Sequence, residues 1–217
     1  MPTRIAAAVA AVAAVAALVA TVPFAVVPAA AAAGPTPALS TAEAPWPRPD
    51  QSLERARAAG LKPATRELLQ YHVHSHLDVF VDGKAITVPA GIGVGDEIPE
   101  RVTTDGLHFY SLNGVPPCTT PCISPLHTHT DSGILHTESP VDRLNTLGEF
   151  FTEWGVRFTE QCIGGYCTPA TKLAVYVDGK KQAGDWRSIK LEERREIAVV
   201  IGTPPKKIPK TADFTQV

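Results

Sequence analysis

From Tyr71 to Val81 the chain alternates, with Tyr71, Val73, Leu77, Val79 and Val81 interleaved with His72, His74, His76 and Asp78. A period of two is the pattern of an extended strand whose side chains leave on opposite faces. One face is apolar and the other is lined with histidine. Asp82-Gly83 follows, a two-residue hairpin turn. Closing the chain there sets Val79 opposite Ile86 and Leu77 opposite Val88, so the apolar faces of both arms agree. The same entry recurs later, because Leu77-x-Val79-Phe80-Val81-Asp82-Gly83-Lys84 is echoed by Leu173-x-Val175-Tyr176-Val177-Asp178-Gly179-Lys180. Two copies do not make a solenoid. They predict two similar strand-turn units in one sheet, the second without histidines.

Further elements complete the outline. Asp50 or Ser52 can cap a short helix over residues 53–59 that Gly60 ends. Thr146-Leu147-Gly148-Glu149 is a capping box, and Leu147, Phe150, Phe151 and Trp154 then recur at helical spacing before Gly155. That aromatic stripe reads as core. Residues 196–202 read as a buried last strand. The order of hairpin, central insertion, helix and further strands predicts an α+β single domain: a mixed or antiparallel sheet of hairpins with one short packed helix. A β-grasp-like arrangement fits that order, by analogy of element order alone.

Around this domain, residues 1–33 hold a single charge, Arg4, then an Ala/Val-rich run ending in small residues, which is the layout of a secretory signal peptide. The run is long enough to span a membrane, but Pro23, Pro28 and the weakly hydrophobic alanines argue for a cleaved signal over a retained anchor. Residues 34–50, with five prolines, read as an extended linker. The domain is expected over residues 51–203 and a basic, proline-containing tail over 204–217. The formal net charge of −2 gives no reason to expect nucleic acid or an acidic membrane surface as partner. No second apolar span follows the leader, so a secreted or cell-envelope location is expected, without an integral membrane domain once the signal is removed.

Cys118, Cys122, Cys162 and Cys167 sit in Gly/Pro/Thr-rich loops of a chain sent to an oxidising compartment, so disulfides are the leading reading. Local pairs Cys118–Cys122 and Cys162–Cys167 are sterically allowed, and pairing between the loops stays open. A four-thiolate zinc site lacks its usual C-x-x-C knuckles.

The densest chemistry lies in residues 126–139, Leu-His-Thr-His-Thr-Asp-Ser-Gly-Ile-Leu-His-Thr-Glu-Ser. With a two-residue turn at Ser132-Gly133, His129 would face His136 and His127 would face Glu138, all on one surface. Three imidazoles and a carboxylate suit zinc, copper or nickel. The second cluster is His72, His74 and His76, where alternate positions lie about 6–7 Å apart, so two of these share one ion more readily than three. If the two strands are neighbours, six histidines converge on one patch; His108 stands alone. The chain's one methionine, Met1, disfavours a thioether copper(I) carrier. Exposed histidines can also serve as a hydrogen-bond or pH-sensing network, or have no special role.

Several enzyme motifs come close and fail. His127-x-His129-x-Asp131 opens like the metallo-β-lactamase signature, but Ser132 stands where another histidine is required. His74-x-His76 is similar to the first strand of amidohydrolase barrels, yet no repeating strand-helix pattern follows. There is no G-x-S-x-G, H-E-x-x-H or phosphate loop.

Three segments together, His74-Ser75-His76-Leu77, residues 126–139, and Thr146 to Gly155, resemble a largely uncharacterised family of exported bacterial proteins. Its motifs are H-x-H-L, L-H-T-H-x-x-S-G-x-x-H-x-E-S and T-L-G-x-F-F-x-x-W-G. The resemblance implies export and shared use of His127, His129, His136 and Glu138, and supplies no activity. Three functional expectations follow: an extracytoplasmic protein binding zinc or copper(II) through His127, His129, His136, Glu138, His72, His74 and His76; a metal-dependent hydrolase or oxidase at the same site with Glu138 or Asp131 as proton acceptor; or a cell-envelope interaction domain without metal.

Overall fold

The computed structural model describes residues 36–104, 106–111 and 117–215, together with Met1 and Thr3; apart from those two, the leader expected at residues 1–33 lies outside them. In chain order the elements are α1 (Ser52–Ala58), β1 (Tyr71–Val81), β2 (Lys84–Ile86), β3 (Arg101–Val102), β4 (His108–Phe109), β5 (Leu126–His127), β6 (Ile134–Ser139), α2 (Leu147–Trp154), β7 (Cys162–Ile163), β8 (Tyr166–Cys167), β9 (Leu173–Val177), β10 (Lys180–Lys181) and β11 (Arg195–Ile201), with a 3-10 turn at Trp186–Ser188.

The fold is α+β, and its main sheet runs β10-β9-β11-β1-β6-β5 with β2 also on β1. β1 is parallel to β11 along Ser75 to Val81 and uses its other edge twice. Its C-terminal end pairs with β2, Val79 opposite Ile86 as the turn chemistry requires. Its N-terminal half pairs with β6. The expected pairing of Leu77 with Val88 is not made, because β2 stops at Ile86 and the Leu77 N–H donates to the Gly133 carbonyl instead. The second strand-turn unit, β9–β10, lies in the same sheet beyond β11. Both turns take positive φ at both central residues, Asp82-Gly83 and Asp178-Gly179, the conformation that matches the twist of flanking strands. Each turn aspartate also accepts a backbone N–H near one end of β11, Asp82 from Thr203 and Asp178 from Glu196. The order β2-β1-β11-β9, with a parallel central pair and a helix on one face, is β-grasp-like.

Helix α2 has the full capping box, and Gly155 ends it in the left-handed conformation. Its Leu147, Phe150, Phe151 and Trp154 join Leu77, Val79, Leu126, Leu135, Ile197 and Val199 in one buried cluster, so the stripe is core as expected. Helix α1 packs on α2, giving two helices where the sequence pattern marks one as packed. Neither Asp50 nor Ser52 caps α1. Gln51 holds the N-cap position without a side-chain bond, and the Ser52 hydroxyl donates to the Pro49 carbonyl.

Two peripheral segments pack on the domain. The proline-rich segment 36–50 is no free linker: Ser40 bridges Val156, and Trp46 is buried edge-on against Trp154 with ring centroids 5.6 Å apart. Its one large aromatic gives it something to bury. The tail after residue 203 is anchored too, with Ile208 packed on the cluster of Phe80, Ala174, Ala198 and Val200.

Both disulfides are local, Cys118–Cys122 and Cys162–Cys167, which removes the four-thiolate reading. The first closes a loop that is stitched to the segment before β1, since Cys118 N–H donates to the Thr65 carbonyl and Cys122 N–H to that of Ala64. Cross-linking so short a loop stabilises by about 2 kcal/mol on chain entropy. Replacing Cys118 and Cys122 together by serine is expected to lower unfolding stability by about that amount in urea titrations, without changing the m-value.

Candidate metal centre

The register of three strands decides which histidines meet. His74 of β1 lies opposite His136 of β6, and His136 lies opposite His127 of β5. One level away, His72 lies opposite Glu138. A row of imidazoles therefore crosses the sheet on the face away from α2. Ring centroids are 4.6 Å apart for His74 and His136 and 5.3 Å for His127 and His136, close to the spacing of neighbouring strands. The expected pairing of His129 with His136 and His127 with Glu138 is corrected by two residues. Because the shift is even, the histidines keep their face. The cause lies in residues 128–133, which form a longer loop than a two-residue turn. Thr128 N–H donates to the Ile92 carbonyl, and the His129 carbonyl accepts from Tyr110 N–H. His129 reaches the row from that loop.

Two rings have their tautomers fixed. His127 Nδ1 lies 2.9 Å from the Ser124 carbonyl oxygen, and His129 Nδ1 lies 2.7 Å from that of Tyr110. A carbonyl only accepts, so each Nδ1 carries a proton, and in the neutral ring each Nε2 presents a lone pair. The two Nε2 atoms face each other at 3.2 Å. Facing lone pairs at that distance repel unless a cation, a proton or a metal ion, sits between them. Glu138 adds a negative charge beside them: its Oε1 is 3.2 Å from His72 Nε2, 3.5 Å from His136 Nδ1 and 3.9 Å from His127 Nε2. His136 Nδ1, His74 Nε2 and Glu138 Oε2 are buried with no hydrogen-bond partner.

The separations suit an ion. Zinc–nitrogen bonds of about 2.0–2.1 Å in a tetrahedron give edges of about 3.3 Å. His127, His129, His136 and Glu138 offer ligand atoms that all lie within 4.8 Å of one another. Protonation is disfavoured here. Burial first, then the neighbouring His129, holds His127 well below its ordinary range, with Glu138 and Ser124 opposing only in part. His136 is pushed down to about 2 by burial and by His129, His74 and His72. Burial and His72 also lower His74. Neutral imidazoles are the form that binds metal. The arrangement can hold a borderline divalent cation, and the His/Glu groups with the disulfides are compatible with extracytoplasmic metal binding.

No family model, curated protein or solved structure matches this chain. The chemistry of the site therefore rests on its own atoms.

Not every expected residue joins the cluster. His76 turns aside: its Nδ1 lies 2.9 Å from Glu196 Oε2, and its Nε2 donates to the Ser132 carbonyl at 2.9 Å. Burial opposes its charge, but the Glu196 hydrogen bond, with the charges of Glu196 and Asp78, raises it overall. Burial likewise raises Glu196 despite His76. The pair thus keeps a proton and ties β1 and β11 to the loop carrying His129. Gly133 in that loop has φ +87, and a Cβ there would come within 2.7 Å of the Leu77 carbonyl oxygen. Asp131 lines a separate cavity with Trp46 and His108, and it is not among the ligand atoms that converge in the row. His108 pairs with Glu100 on the β3–β4 hairpin.

One acidic residue reaches the cluster without any mark in the sequence. Glu67 Oε1 lies 3.4 Å from His129 Nε2, and burial together with Glu138 raises its carboxyl. It comes from an irregular stretch with no motif or periodicity, so no local signal marks it. Glu67 and Glu138 both line a cavity of about 350 Å³ shared with His72, His74, His129 and His136. They also line a neighbouring cavity of about 490 Å³, largely apolar, with Arg66 and Arg143 in its wall.

Behind the site, Glu153 of α2 is fully buried, and neither carboxylate oxygen has a hydrogen-bond partner. Burial, with Glu149 adding to it, pushes its carboxyl well above the usual carboxylate range; the Ser124 hydroxyl is near enough to offset this in part without making a well-formed hydrogen bond. A folded-state carboxyl that keeps its proton contributes stability that is complete below pH 4.5 and is lost as pH rises through its raised value. In melts across neutral pH, Glu153→Gln is expected to flatten this loss. An unchanged pH slope would show that Glu153 ionises freely in the fold.

Proposed function

We propose that this protein is exported and binds a borderline divalent cation, zinc or copper(II), through His127 Nε2, His129 Nε2, His136 Nδ1 and Glu138 Oε1. The observation that carries the reading is the pair of Nε2 lone pairs facing each other at 3.2 Å, each fixed by its own Nδ1–H donated to a carbonyl. Such donation is how metal-bound histidines are commonly oriented. The buried, unpartnered His136 Nδ1 is accounted for by the same ion. Export is supported by the alanine-rich leader, the two local disulfides and the likeness of residues 126–139 to an exported bacterial family. Convergent imidazoles argue against a metal-free interaction domain, whose histidines would point to solvent.

A metal-dependent hydrolase or oxidase is the second reading. The two cavities that meet at Glu67 and Glu138 favour it, since they leave room for a ligand beside the ion.

Zinc titration by calorimetry tests binding. His127→Ala/His129→Ala is expected to weaken affinity by roughly 100-fold or more. With His127 and His136 already neutral, acidification from about pH 7.5 to about pH 6 should weaken wild-type binding less than in a site of ordinary histidines, which take up protons over that range. Equal affinity in wild type and variant would refute the assignment.

A further inference from the structure

A single tetrahedral ion uses four ligands, and the cluster offers more. Once His127, His129, His136 and Glu138 Oε1 are assigned, His72 and His74 remain on the same sheet face, with their ring centroids 4.4 Å apart. Ligand atoms of His72, His74 and His136 lie within 4.8 Å of one another. His74 Nε2 is buried and has no hydrogen-bond partner. Glu138 Oε2 is also buried and without a partner, while its other oxygen lies 3.2 Å from His72 Nε2. Buried polar atoms are nearly always satisfied. These two atoms and the His72 imidazole are what the first ion leaves unused on this face.

We propose that the cluster holds two divalent cations side by side, the second bound by His72, His74 and Glu138 Oε2, with the Glu138 carboxylate bridging the two. The proposal rests on the reading of the first ion and extends it. Carboxylate-bridged pairs stand about 3.5–4 Å apart, a span that one Glu side chain in the row can cover. The two ions differ in access. The first is enclosed, with His127 fully buried, whereas His72 is 36 % exposed and His72 and His74 both border the cavity at Glu67. The second ion therefore keeps coordination positions open toward that cavity. Oxygen ligands, water or the oxyanion of a small molecule, are the class that would fill them, within reach of the Glu67 carboxylate.

The test is metal stoichiometry on the full chain, by equilibrium dialysis against zinc followed by elemental analysis. Wild type is expected to hold two equivalents and His72→Ala/His74→Ala one. One equivalent in both proteins overturns the second ion and leaves the first; two in both places the second ion elsewhere; none in wild type overturns both readings. A measurement on wild type alone guards against a misfolded variant. With two equivalents of copper(II) bound, electron paramagnetic resonance should show the half-field signal of a coupled pair. Two isolated copper spectra would overturn the bridged arrangement.

Discussion

The structure depends on how β1 divides one of its edges. Val79 to Val81 pair with β2 in a tight hairpin, and Tyr71 to His76 pair with β6, which returns from the insertion between β2 and α2. That division gives β1 two jobs. Its C-terminal end belongs to the β-grasp-like core with β11 and β9, and its N-terminal half brings His72 and His74 against His136 and Glu138. Because side chains alternate, the same pairing that buries Leu77 and Leu135 against α2 sends the imidazoles to the opposite face. Core packing and the histidine row are two faces of one register, and a slip of a single residue would exchange them.

The histidine face is costly to build. His74 Nε2, His136 Nδ1 and Glu138 Oε2 are buried without partners, and each such group costs about 1–3 kcal/mol. Glu153 adds another buried polar group behind β5. Apolar residues at these positions would pack at no such cost. A fold that keeps several unsatisfied, mutually repelling groups in one place resembles other sites where local rules give way to function. A cation bound there would satisfy the imidazole lone pairs and the carboxylate together, turning repulsion into coordination.

Much of this was legible in sequence because it follows from short-range rules. Alternation and Asp-Gly turns gave both hairpins, and the capping box with its aromatic spacing gave α2. The even spacing of His127, His129, His136 and Glu138 put them on one face even though the turn was misplaced by two residues. What escaped was non-local. The loop at residues 128–133 is shaped by Ile92 and Tyr110, far away in sequence, and Glu67 is recruited from an unpatterned stretch. His76 shares the periodicity of His72 and His74 but meets Glu196 across the parallel pairing with β11, a contact that only the sheet order reveals. Trp46 packs on Trp154, and Arg48 donates to the Gly91 and Val94 carbonyls, from a segment whose prolines conceal these anchors.

The central claim is that the Nε2 atoms of His127 and His129 are unprotonated and share a cation. Proton–nitrogen correlation NMR on metal-free, histidine-labelled protein just above neutral pH reads the tautomers directly, and zinc can then be added to the same sample. The account predicts Nδ1–H and a bare Nε2 in both rings, with zinc shifting both Nε2 resonances while the Nδ1 protons remain. A proton on Nε2 with Nδ1 bare in either ring, or Nε2 resonances that saturating zinc leaves unmoved, would contradict it.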